Sequence, residues 1–261
     1  MSGDTFMSGS VPHKITMYPA AVYSDKRPII LVLHGNAGLN PPFGEQIQDF
    51  AERLAKAGYV TAVPQYYADD NPHIQDDDPH PKVRKLTDAI KKVAERSDAN
   101  VDQLGLVGYS LGAATAMTYI ASNPPGRVKV LVDFFGPIKG NAIIAAGASK
   151  FPLTIILHDS ADKIVPPGNS LDLAKLLIAG SIRHELHTYD EPKQSLQAGG
   201  NHAFQKGGIA DIDSRKRATE WIVEHLPATV RGADCPTPPT DGSCPWAAPI
   251  GRTARPRDSR A

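Results

Sequence analysis

Three residues in this chain could together make a nucleophile: Ser110, Asp162 and His202, in that order. A serine hydroxyl attacks poorly until a base takes its proton, and a neutral imidazole is suited to that task near neutral pH. The imidazole needs a carboxylate that orients it and stabilises its charged form. Ser110 stands in Gly108-Tyr-Ser-Leu-Gly112, between the apolar run 104–107 and an Ala-rich segment. That order reads as a strand, a sharp turn and the start of a helix, which is a nucleophile elbow. Glycines on either side of the serine remove side chains that would meet neighbouring backbone. In such a turn the N–H of Leu111 faces the space in front of the hydroxyl and can donate to a developing oxyanion. A Gly-x-Ser-x-Gly match has little weight alone; the strand and helix around it supply the weight.

The base has several candidates among the histidines: 34, 73, 80, 158, 184, 187, 202 and 225. His202 is best placed, in Ala198-Gly-Gly-Asn-His-Ala-Phe204, a loop between the last strand and the last helix. His184 and His187 fall inside a strand and read as surface residues. The acid is sought in His158-Asp-Ser-Ala-Asp-Lys-Ile-Val-Pro166, after a buried strand. Asp162 is preferred because it lies further out, where a side chain can reach another loop. Asp159 could instead cap the turn, and Asp133, ending the preceding strand, is a third option. The stretch 66–81 is acidic, with Asp69, Asp70, His73, Asp76, Asp77, Asp78 and His80. It lacks a ligand spacing and reads as a solvated loop, so neither a metal nor a cofactor is expected.

The elements that must hold these residues alternate along the chain. Residues 14–18 read as a short edge strand. The continuous apolar run 29–33 suits a strand buried on both faces of a parallel sheet. Ile47, Phe50, Ala51, Leu54 and Ala55 have the spacing of an amphipathic helix that stops at Gly58. Further strands are expected over 59–63, 104–107, 128–134, 153–157 and 182–189, the last at or near an edge. Further helices are expected from 83 to near 97, after the elbow, over 169–179 and over 212–226. The fold class is therefore α/β, an open and mostly parallel sheet with helices on both faces, whose sites lie at the carboxyl ends of the strands.

Composition limits what such a domain can do. With 261 residues, 41% of them hydrophobic, one core of good size can form. The formal net charge is zero, which argues against nucleic acid or an anionic membrane surface as partner. No membrane span or secretory leader is read, so the expected location is cytoplasmic. Both cysteines, Cys235 and Cys244, lie in a Pro- and Arg-rich stretch far from the elbow. Three regions follow: an extension over 1–13, a domain over 14–227 and a tail over 228–261 expected to be disordered.

Four motifs in order, Leu33-His-Gly-Asn-Ala-Gly-Leu-Asn40, Gly108-Tyr-Ser-Leu-Gly112, Asp162-Lys-Ile-Val-Pro166 and Asn201-His-Ala-Phe204, resemble the dienelactone hydrolase family of α/β-hydrolases. The resemblance spans about residues 14–226. It implies the α/β-hydrolase fold without a large cap domain, since 137–150 is too short for one. It also implies that the second oxyanion donor is the backbone N–H of Asn36. The implied activity is that of a serine carboxylic-ester hydrolase working through an acyl-enzyme. Departures at three positions bear on substrate. Enzymes acting on dienelactone itself use a cysteine where Ser110 stands, a glutamate where Gly35 stands, and an arginine after the Tyr-Ala that here precedes Asp69. Small uncharged esters or lactones are therefore expected, lying against Tyr66, Tyr67, Tyr109, Phe134 and Phe135. The other readings are a serine peptidase or acyltransferase on the same fold, and a ligand-binding protein that has kept the fold without the chemistry.

Overall fold

The structure is a computed structural model that describes residues 1–20, 26–66, 79–191 and 201–228, with backbone alone at 79 and 80. Its centre is β3 (Arg27–Leu33), in which every residue is buried. Such a strand needs cover on both faces. Ile29, Leu31 and Leu33 pack on one face with Leu86, Ala89, Met117, Leu173 and Leu177. Ile30 and Val32 pack on the other with Phe50, Leu54, Ala218, Trp221 and Ile222. These partners belong to helices α2 (Pro79–Ala94), α3 (Leu111–Ser122) and α5 (Gly168–Ala179) on the first face, and α1 (Phe43–Lys56) and α6 (Ile209–His225) on the second. Truncating one of the central residues, Leu31 for instance, costs about 2 to 5 kcal/mol.

The other strands are β1 (Ser2–Ser8), β2 (Val11–Tyr18), β4 (Val60–Pro64), β5 (Ala99–Tyr109), β6 (Val128–Phe134), β7 (Leu153–Asp159) and β8 (His184–Tyr189). They form one sheet in the order β1-β2-β4-β3-β5-β6-β7-β8. From β4 to β8 all neighbours are parallel, and β1 and β2 join antiparallel. The first crossovers leave β3 towards one side and later ones fill the other side. The carboxyl ends of β3, β5, β6 and β7 therefore lie side by side. The residues that follow them, 34–38, 110, 135 and 160–165, are brought to one edge. Between β6 and β7 the chain makes only the short helix α4 (Ala142–Ala146) and a 3-10 turn at Ala148–Lys150. No cap domain intervenes there.

Two expectations are corrected. Residues 1–13 are no mere extension, because they hold β1 and the start of β2, with Ser8 paired to Val11 across Gly9-Ser10. For the same reason the strand expected at 14–18 is not an edge: it is β2, covered by β1. The expectation of an edge at 182–189 holds for β8. Residues 67–78, which hold Tyr67 and the acidic run, and the region from 229 with Cys235 and Cys244 lie outside the described residues. Among the described residues no helix is long and apolar enough to cross a membrane.

Candidate active site

Ser110 joins β5 to α3 with φ 53° and ψ −121°. This is a conformation that a non-glycine residue adopts only when its surroundings hold it there. They do: Ser110 N donates to Phe134 O at 2.9 Å. A Cβ on Gly108 would lie 2.3 Å from Ala113 Cα, and one on Gly112 would lie 2.3 Å from Leu33 O. Both glycines are thus required by close backbone approach, as the elbow reading demands.

Across the edge, His202 Nε2 lies 3.0 Å from Ser110 Oγ, and His202 Nδ1 lies 2.7 Å from Asp162 Oδ2. The carboxylate is an acceptor, so Nδ1 carries the hydrogen, which leaves Nε2 to accept from the serine. The other oxygen of Asp162 accepts from the amides of Ile164 and Val165 at 2.8 and 2.9 Å. Burial resists ionisation of Asp162. The hydrogen bonds from His158 and His202, the charge of His202 and the Val165 amide outweigh it and hold the carboxyl well below its ordinary range.

The loop after β3 closes the other side of the site. His34, buried, donates from Nδ1 to Gly35 O at 2.9 Å and stacks on Tyr66, with ring centroids 4.6 Å apart. The Tyr66 hydroxyl donates to His34 O at 2.7 Å. Burial pushes the His34 pKa down to about 4, against a weaker opposing effect of the Gly35 carbonyl, so the ring is neutral at pH 7. Gly35 passes so close to the serine that a Cβ there would sit 3.1 Å from Ser110 Cβ. Asn36 and Leu111 both line the cavity in front of Ser110.

That cavity measures about 510 Å³. Its wall among the described residues is largely apolar, with Phe43, Ile47, Phe135, Ile164 and Val165, and it includes one cation, Lys82. Of the expected substrate contacts, Tyr109 and Phe135 line it. Tyr66 does not: it is buried behind the loop that its hydroxyl braces. Phe134 is fully buried, stacked on Tyr109 at 4.4 Å, and offers no surface to a ligand. Asp159 is not beside His202. It accepts from Ala161 N at 2.8 Å, Asn201 Nδ2 at 3.2 Å and Glu191 N at 3.3 Å, tying the end of β7 to the loop that carries His202. Asp133 is buried behind the site, and its Oδ1 accepts from Gly136 N. His158, among the candidate bases from sequence, serves instead beneath Asp162, where it contacts Ser170, a residue the sequence reading did not place in the site. No local pattern singles them out, since their meeting depends on how α5 packs against β7.

A serine on a strained strand-to-helix turn, backed by a histidine and an aspartate from two later loops at the same sheet edge, defines the class: this is an α/β-hydrolase fold. The model of the dienelactone hydrolase family matches residues 13–226, and the chain belongs to that family. A curated relative from Yersinia pestis, "Putative carboxymethylenebutenolidase", is 23% identical over an alignment of 219 residues that covers 76% of this chain and 78% of the relative. Among solved structures, an esterase of Thermogutta terrifontis with propionate bound superposes with a TM-score of 0.68 at 17% identity, covering 88% of this chain and 96% of the esterase. An acylaminoacyl peptidase of Pyrococcus horikoshii superposes with a TM-score of 0.71 at 12% identity, over 89% of this chain but only 43% of the peptidase. At these identities the superpositions speak for the fold.

Proposed function

We propose that the protein is a serine carboxylic-ester hydrolase that acts through an acyl-enzyme on small uncharged esters or lactones and needs no cofactor. The observation that carries this reading is the hydrogen-bonded series from Ser110 Oγ through His202 to Asp162 at the strained turn. Ser110 attacks the ester carbonyl while His202 Nε2 takes the hydroxyl proton. The amides of Asn36 and Leu111 receive the negative charge that develops on the carbonyl oxygen. The tetrahedral species collapses, the alcohol leaves with the proton from His202, and a water activated by the same histidine then cleaves the acyl-serine. Asp162 stabilises the imidazolium at both stages and stays ionised throughout. Membership of the family supports hydrolysis, and the apolar wall of the cavity supports an uncharged acyl or aryl group.

The test is covalent labelling by an active-site phosphonate. One equivalent should attach to Ser110, as located by mass spectrometry of the labelled peptide, and Ser110→Ala should lose both labelling and hydrolysis of p-nitrophenyl butyrate. Labelling of Ser160 or Ser170 with Ser110 untouched would overturn the assignment.

A further inference from the structure

We infer that His158, a second histidine on the carboxylate of Asp162, is a positioning residue that sets how strongly that carboxylate supports His202. This rests on the function proposed above. His158 is the penultimate residue of β7, and its side chain has no exposed surface. Its Nε2 lies 2.8 Å from Val165 O and 3.1 Å from Asp162 Oδ2. Both are acceptors, so Nε2 carries the hydrogen and shares it between them. Its Nδ1 lies 2.5 Å from Ser170 Oγ in the first turn of α5, and the hydroxyl donates to it when the ring is neutral. Strand, loop and helix are thereby joined through one imidazole.

The consequence falls on a single oxygen. Asp162 Oδ2 accepts from His158 at 3.1 Å and from His202 at 2.7 Å, whereas Oδ1 is held by two backbone amides. A second donor on the oxygen that faces His202 withdraws part of its charge and prevents the carboxyl from rotating. Removing that donor leaves a more basic, less fixed carboxylate. The His202 imidazolium is then favoured in the resting enzyme, and the hydrogen bond that must orient the ring is looser. The charged groups that bear on this pair are Asp162 itself, in the loop after β7, and Asp133 on β6, whose carboxyl feels His158. On the cavity side the His202 ring meets Phe135 at 5.1 Å between centroids, an uncharged neighbour.

The experiment uses the full chain and p-nitrophenyl butyrate, with pH profiles of kcat and kcat/KM for His158→Leu, His158→Gln and His158→Asn. Leucine removes the donor. Glutamine can place an amide N–H where Nε2 stands, and asparagine is too short to reach Asp162. His158→Leu should lower kcat by about 10- to 100-fold with KM within about twofold, and should move the acid limb of kcat/KM to higher pH by about half a unit or more. His158→Gln should recover most of both, and His158→Asn should not. A folded His158→Leu protein with wild-type kcat and acid limb overturns the inference. So does equality of the Gln and Asn variants, which decides the matter if the leucine variant does not fold. Phosphonate titration of Ser110 in each variant separates the two readings. If wild-type Ser110 is not labelled, the proposed function fails and this inference with it. If it is labelled and the His158 series is flat, only the inference fails.

Discussion

Asp133 and His34 are buried ionisable groups whose effects on stability run in opposite directions with pH. Burial raises the Asp133 pKa to about 6, against weaker opposing effects of His158 and the Gly136 amide. Its Oδ2 has no hydrogen-bond partner among the described residues. The folded state therefore holds the proton more tightly than the unfolded chain does. Asp133 favours folding below pH about 4, loses that contribution as pH rises to about 6, and is constant above. His34 is the reverse. Its folded pKa is about 4, so its contribution is complete above the unfolded value of about 6.5 and is lost as pH falls. Between pH 4.5 and 6.5 the two oppose one another. In Asp133→Asn the aspartate's part is removed, on the order of 2 to 3 kcal/mol across the window, and the acid lability due to His34 is uncovered. Melting temperatures measured from pH 4.5 to 7.5 should show the variant gaining on the wild type as pH rises. A difference between the two that does not change with pH would contradict this.

At the scale of elements, the loops after β7 and β8 must meet for Asp162 to reach His202, and Asp159 is the clasp between them. Its carboxylate accepts from Ala161 in the first loop and from Glu191 and Asn201 after β8. Asp159→Asn keeps an acceptor but loses one of the pairings, so the expected cost is about 1 to 3 kcal/mol of stability and a fall of about tenfold or less in kcat/KM. Asp162→Asn should act differently. With its oxygen kept by the Ile164 and Val165 amides, the new NH2 faces His202 Nδ1 and drives the hydrogen to Nε2, where it cannot accept from Ser110. The expected fall is about 10³- to 10⁴-fold, as a misplaced tautomer costs in serine hydrolases. Paired kcat/KM and thermal melts of the two variants check this, and the reverse ranking would move the acid to Asp159. The clasp also marks where sequence reading stops. Periodicity located α1 through Ile47, Phe50 and Leu54, and β3 through its unbroken apolar run, because burial writes directly into residue spacing. The elbow was equally legible, since Gly108 and Gly112 answer a local backbone demand. The β1–β2 hairpin was missed although Gly9-Ser10 is a two-residue turn signal, because the strand before it is mostly polar and exposed. The turn-capping part of Asp159 was legible, since Ala161 is two residues away, but its tie to Asn201, the tie of His158 to Ser170 and that of Tyr66 to His34 were not: these partners are 42, 12 and 32 residues away in the chain, and no local pattern records such a meeting.

For the molecule as a whole, the open question of substrate becomes one of charge. The chain is formally neutral, so selectivity for a charged ester has to come from the cavity rather than from a field around the protein. Desolvating a substrate carboxylate against Phe43, Ile47 and Phe135 is costly unless a cation meets it. The cation that lines the cavity among the described residues is Lys82, at the start of α2. Lys82 is already engaged by another group, and a substrate anion would have to compete for it. Lys139, after β6, and Lys163, after β7, are not part of the described wall. We therefore expect a neutral phenyl ester to be hydrolysed at least about tenfold better than its analogue with a free carboxylate near the scissile bond. Lys82→Met should leave the neutral ester within about twofold of wild type. Measuring kcat/KM for both esters on both proteins distinguishes the cases. If the anionic ester is preferred, and that preference disappears in Lys82→Met, then Lys82 exchanges its present partner for the substrate, and the pocket selects acids after all.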